Sequence, residues 1–197
     1  SVCTASEPVI EAAIEYAKGK DSIVVIEATA NQVNQFGGYT GMKPEDYREF
    51  VYKIAERVGY DKDRIILGGD HLGPLTWTDL DENEAMENAK QLVYDYVRAG
   101  FTKIHLDTSM RLNNDSTTER LSDETIARRS AILAKSCLQA FDDLKKEDKD
   151  AVFPVFIIGS EVPIPGGLQE QEEILQLTSP EDFETTYETF RKVFEDH

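Results

Sequence analysis

Short apolar runs rich in β-formers alternate along this chain with longer stretches in which apolar residues recur at helical spacing. The runs cover 22–28, 64–69, 101–107 and 152–159, with a stub at 1–4. Between them, Tyr47, Phe50, Val51, Ile54 and Val58 share one helix face, as do Ala85, Ala89, Leu92, Val93 and Tyr96. Gly59 and Gly100 then supply helix stops. A third face is Ile126, Leu133, Cys137, Phe141 and Leu144, followed by a charged linker at 145–150. The last is Phe183, Tyr187, Phe190 and Phe194, opened by Ser179, Pro180, Glu181 and Asp182, a capping sequence with acids in the first turn. All four stripes are expected to be core. Strand and helix in alternation predict βα units around a parallel sheet.

The polar residues at the strand ends decide between an open sheet and a barrel. A doubly wound sheet needs polar chemistry only near its switch point, whereas a barrel gathers it from successive strand ends. Glu27 closes one run, Asp70 and His71 the next, His105 and Asp107 the next, and Glu161 follows the last. The expected fold is therefore α/β, a (βα)8 TIM-type barrel. A full barrel takes eight strands and roughly 250 residues. The chain is expected to be a single partial barrel domain over 1–197, about five βα units, with the C-terminal strands missing. Two unpaired sheet edges would make this stretch unstable alone.

Four segments carry the candidate chemistry. In Leu67-Gly68-Gly69-Asp70-His71-Leu72-Gly73-Pro74, glycines permit close approach beside an acid and an imidazole, a pairing suited to proton transfer next to a metal ligand. In the run around Lys103, strand alternation puts His105 and Asp107 on one face, where a buried carboxylate demands a partner. The segment after Ile158 sets Glu161 beside a stiff loop with two prolines and two glycines. After Glu27 come Asn31, Gln32, Asn34 and Gln35, amides able to read sugar hydroxyls as donors and acceptors. Glu27, Asn31, Gln35, Lys103, His105 and Asp107 are the substrate-binding candidates. Lys103 and Arg111 are the cations near enough to meet a phosphate.

Composition removes several classes. A formal net charge of -17 opposes nucleic acid and anionic membrane surfaces. No apolar run reaches the ~18 residues that a span requires. Cys3 and Cys137 have no metal spacing, so a reducing cytoplasm is the expected compartment. Neither G-x-G-x-x-G nor G-x-x-x-x-G-K-[ST] occurs, so no nucleotide cofactor is expected.

The runs IEATANQVNQFGGYTGM, ILGGDHLGP, FTKIHLDTSM and IIGSEVPIPGG, in this order, resemble the GatZ/KbaZ family of non-catalytic subunits of D-tagatose-1,6-bisphosphate aldolase. The resemblance covers essentially the whole chain. It implies a (βα)8 barrel related to class II, zinc-dependent aldolases, acting in galactitol or N-acetylgalactosamine breakdown. It implies as partner a catalytic Y-type subunit whose activity and stability are supported, and a sugar or sugar phosphate as ligand. Some relatives interconvert ketohexoses at C4 with a divalent metal, which gives the alternative expectation of an enzyme in its own right. By analogy with class II aldolases, Asp70 takes a proton-transfer role and His71 a metal-ligand role, with Glu161 as a further ligand and zinc as the expected ion.

Overall fold

Five strands and five α-helices alternate through a computed structural model that describes residues 1–116, 121–158 and 179–197. In chain order they are β1 (Val2–Cys3), α1 (Glu7–Gly19), β2 (Val24–Thr29), α2 (Pro44–Val58), β3 (Ile65–Leu72), α3 (Glu82–Arg98), β4 (Lys103–Leu106), α4 (Asp123–Glu147), β5 (Val155–Ile158) and α5 (Pro180–Asp196). Helix α1 is the element the apolar stripes above do not include. Its signal is Ile10, Ile14 and Ala17 on one buried face, with proline in its first turn. The linker expected at 145–150 is shorter than its charge suggests, because α4 runs on to Glu147.

All strand pairings are parallel and the spatial order follows the chain, β1-β2-β3-β4-β5. A doubly wound sheet would reverse direction at a switch point. This sheet does not, so the expected barrel-type α/β architecture holds, as a partial barrel.

Strand alternation sorts the side chains into two faces. Ile26, Ala28, Ile104 and Leu106 join a core formed with Ile10, Ile14, Val51, Leu92, Val93, Leu133 and Cys137 from the helices. Glu27, Lys103 and His105 point to the opposite, inner face. Two buried tyrosines tie this core to the strand ends. The Tyr47 hydroxyl donates to the carbonyls of Thr4 (2.5 Å) and Glu27 (2.9 Å), and that of Tyr96 to Val33 (3.0 Å). Each phenol thereby satisfies backbone acceptors where regular pairing ends.

The helix ends follow the expected chemistry. Gly59 caps α2 in the left-handed region (φ 66°), Gly100 follows α3 with φ 89°, and Ser179 with Asp182 forms a capping box on α5. The α5 stripe needs correction. Phe190 is buried against Ile126 and Ala127, but Phe183 and Tyr187 are 67% and 56% exposed. In the first two turns of that helix the contact to α4 is polar instead, from the Thr186 hydroxyl to Asp123 (2.6 Å). No described helix is long and apolar enough to cross a membrane.

Candidate functional site

A β-bulge builds the site. Gly68 and Gly69 pair with Lys103 and Ile104, but the next pair is Leu72 with Leu106, so β3 spends three residues where β4 spends two. His71 absorbs the excess in the left-handed region, φ 49°. A non-glycine residue there costs about 1–3 kcal/mol, and such strain concentrates at functional sites. In a regular strand Asp70 and His71 would face opposite ways. The bulge brings both side chains into one cluster with His105 and Asp107, which is the re-aiming that bulges provide. Glycines make the room: a Cβ on Gly68 would lie 2.7 Å from Glu27 Cγ, and one on Gly73 only 1.7 Å from the Asp107 carbonyl oxygen.

The cluster is a chain of charge-assisted contacts. His105 Nδ1 lies 3.0 Å from Asp70 Oδ1, and Lys103 Nζ 3.5 Å from the same oxygen. Lys103 also donates to Glu27, itself 2% exposed. His71 Nδ1 sits 2.8 Å from Asp107 Oδ2. The other Asp107 oxygen accepts from the Ser109 amide (3.0 Å) and hydroxyl (2.7 Å). The His71 and His105 rings lie 4.6 Å apart between centroids. With Nδ1 of His71 committed to Asp107, Nε2 is its outward nitrogen.

These contacts set the protonation states. The hydrogen bond from His105 holds Asp70 well below the usual carboxylate range, with Lys103 adding to it against the cost of burial. Burial pushes Asp107 upward, but hydrogen bonds from His71 and Ser109 outweigh it and leave the group lowered. Asp107 in turn raises His71, mainly through their hydrogen bond. Desolvation first, then Asp70 and Glu27, push the Cys3 thiol up to about 12.

Of the residues singled out in the sequence, Glu27, Asp70, His71, Lys103, His105 and Asp107 meet in this cluster. Asn31 joins its rim: with Cys3, Thr29, Gln32, Tyr39, Asp70 and His71 it lines a cleft of about 340 Å³. Asn31 Oδ1 also accepts from the Thr76 hydroxyl (3.1 Å), linking the loops after β2 and β3. Gln35 is turned elsewhere, donating to the Asn88 carbonyl on α3 (2.9 Å). Glu161 lies outside the described residues. Cys3, Thr29, Tyr39 and Ser109 were missed. The pairing of Cys3 with Glu27 brings β1 to the site, and it is a fact of register. Behind the cluster, fully buried Arg129 of α4 donates to Asp115 (2.7 and 3.0 Å) and Glu82 (2.6 and 3.2 Å), clamping the loops that follow β3 and β4.

Asp70, His71 and His105 offer one carboxylate oxygen and two imidazole nitrogens, all within 4.8 Å of one another. That donor set suits zinc or another first-row divalent ion. A metal-ligating histidine ordinarily gives its second nitrogen to a carboxylate, as His71 does to Asp107. The residues present therefore fit a divalent ion.

Residues 1–197 match the profile of the GatZ/KbaZ-like family, described as D-tagatose-1,6-bisphosphate aldolase subunit GatZ/KbaZ-like. This chain belongs to that family. Its relatives include the D-tagatose-1,6-bisphosphate aldolase subunit GatZ of Escherichia coli O1:K1 / APEC, 47% identical over 194 residues, which covers 98% of this chain and 44% of that protein. The protein of the same name from Escherichia coli O139:H28 (strain E24377A / ETEC) matches to the same extent. Among solved structures, a probable tagatose 6 phosphate kinase from Sinorhizobium meliloti 1021 superposes with a TM-score of 0.81 at 43% identity, over 99% of this chain and 44% of that one. The chain thus spans less than half the length of each of these relatives.

Proposed function

We propose that this chain is a barrel portion of a D-tagatose-1,6-bisphosphate aldolase subunit of the GatZ type, which supports a separate catalytic class II (Y-type) subunit in the breakdown of galactitol and N-acetylgalactosamine. Family membership over the whole chain, with relatives carrying that name, is the observation that carries this reading. The kinase activity for which the structural relative is named is a different one. The 197 residues hold no G-x-x-x-x-G-K-[ST] loop, and the strand-end cluster is built of carboxylates and imidazoles.

A second reading is favoured by that cluster: metal-dependent chemistry on a ketose or its phosphate at this barrel itself, as retro-aldol cleavage or C4 epimerisation. Maintaining a strained His71 and a buried Asp107 behind it costs stability, which a purely supporting barrel would have no reason to bear. On this reading His71 and His105 would hold a divalent ion, zinc by donor chemistry, with Glu161 as a further candidate. Such an ion, when bound, supplies Lewis-acid polarisation of the ketose carbonyl. Asp70, ionised beside His105 and Lys103, would be the group placed to receive a substrate proton that such an ion has made more acidic. Asp107 fixes the His71 ring, and Lys103 holds Glu27 and Asp70 in place by pairing with both.

The test is cleavage of tagatose 1,6-bisphosphate by the full-length protein with added zinc, with and without a Y-type subunit. Activity that rises or lasts longer only in the presence of the partner upholds the supporting role. Cleavage by the protein alone that Asp70→Asn abolishes establishes the second reading, and C4 epimerisation without cleavage narrows it to the epimerase.

A further inference from the structure

The loop after β2 is braced by several backbone and side-chain hydrogen bonds, and it carries an exposed aromatic residue at the cleft. The Asn34 side chain donates to the Ala30 carbonyl (2.9 Å) and accepts from the amides of Phe36 (2.9 Å) and Gly38 (3.0 Å). The Tyr39 amide donates to the Asn31 carbonyl (3.0 Å), and the Thr40 hydroxyl to that of Gln32 (2.7 Å). Gly38, at φ 54°, lies so close to the Gln32 carbonyl that a Cβ would come within 2.3 Å of its oxygen. Phe36 rests edge-on against Trp77 at 6.3 Å between centroids, pinning the loop to the next strand's connection. At position 38 only glycine allows this shape.

What the loop holds in place is Tyr39. Tyr39 is 74% exposed and lines the cleft together with Asp70 and His71. Its hydroxyl has no hydrogen-bond partner among the described residues. Carried on a braced backbone beside Asp70 and His71, Tyr39 is suited to meeting a ligand: its ring is apolar and its end polar.

We infer that Tyr39 is a specificity-determining residue of this cleft, its ring lying against the C–H face of a ketose carbon chain while Asn31 and Gln32 bind hydroxyls beside it. This rests on the reading of the cleft as a ketose or ketose-phosphate site. Asp70 and His71 grip the reacting end of the substrate, and Tyr39 sets which chain length and hydroxyl pattern can lie across the opening.

The test compares wild type, Tyr39→Phe and Tyr39→Ala in the full-length, zinc-loaded protein, by calorimetric titration with tagatose 1,6-bisphosphate and, in parallel, with tagatose. Ring contacts of this kind correspond to about a tenfold change in affinity at most. Tyr39→Ala is therefore expected to weaken binding by about five- to tenfold and Tyr39→Phe by no more than about twofold, with zinc uptake and melting temperature unchanged in both. The bracing runs through the backbone of residue 39, so alanine retains it. If wild type binds and Tyr39→Ala binds equally well, the assignment falls while the ketose site stands. If wild type binds neither sugar, the reading of the cleft fails and the role of Tyr39 with it.

Discussion

At the scale of single residues, the decisive contact is between His71 and Asp107. Removing the orienting charge with Asp107→Asn is expected to weaken zinc affinity by about 10- to 100-fold, as read by calorimetry. Unchanged affinity would show that Asp107 does not orient the ring. The same pair predicts a pH profile for protein stripped of divalent ions. His71 is raised from 6.5, so its stabilisation is complete below about pH 6.5 and is lost as pH rises through the raised value. Asp70 and Asp107 are lowered from 3.8, so theirs is present above about pH 3.8 and lost as pH falls through the lowered values. Melting temperature should therefore be highest between about pH 4 and 6.5, and Asp107→Asn should flatten the alkaline side. A profile still falling above pH 6.5 in that variant would assign the alkaline limb to another group. Most of these residues were legible in the sequence because acids and imidazoles at strand ends stand out against apolar runs. Tyr39 and Cys3 were not, since one looks like an ordinary loop aromatic and the other like a stray thiol.

At the scale of elements, β3 and its exit decide the site. The glycines flanking Asp70-His71 read in the sequence as room for close approach, and Gly73 shows how close: its absent Cβ would sit 1.7 Å from the Asp107 carbonyl oxygen. Gly73 has an extended backbone that any residue adopts, so the constraint is purely one of space. Gly73→Ala is expected to destabilise by about 3 kcal/mol, measured by chemical denaturation, and to displace Asp107 from His71. A loss under about 0.5 kcal/mol would mean that the strands separate easily here. The bulge was not legible, because nothing in the order of residues says that β3 takes three steps where β4 takes two. That mismatch appears only once the two strands are paired. Helix α5 teaches the same lesson in reverse: Phe183 and Tyr187 share the spacing of Phe190 and Phe194, but periodicity names a face without naming what covers it.

At the scale of the whole molecule, the inner face of the sheet is open beyond the cluster among the described residues. Val155 and Ile157 pair with Lys103 and His105 on that face and are 63% and 42% exposed. In a closed barrel such positions are filled by layers of side chains from opposite strands. Residues 1–197 expressed by themselves are therefore expected to self-associate, seen as a concentration-dependent mass in sedimentation. A monomer with a single cooperative melting transition would refute this.

Amino-acid order alone determined the βα rhythm, the parallel sheet, the polar strand ends and the family, because apolar spacing and turn chemistry are local properties of the chain. Only the tertiary structure decided which polar residues meet. Register sets Cys3 beside Glu27, the bulge turns His71 to the side of Asp70, and a braced loop leaves Tyr39 facing both. Each of these depends on where one strand lies against the next, a relation between distant segments that no local pattern encodes.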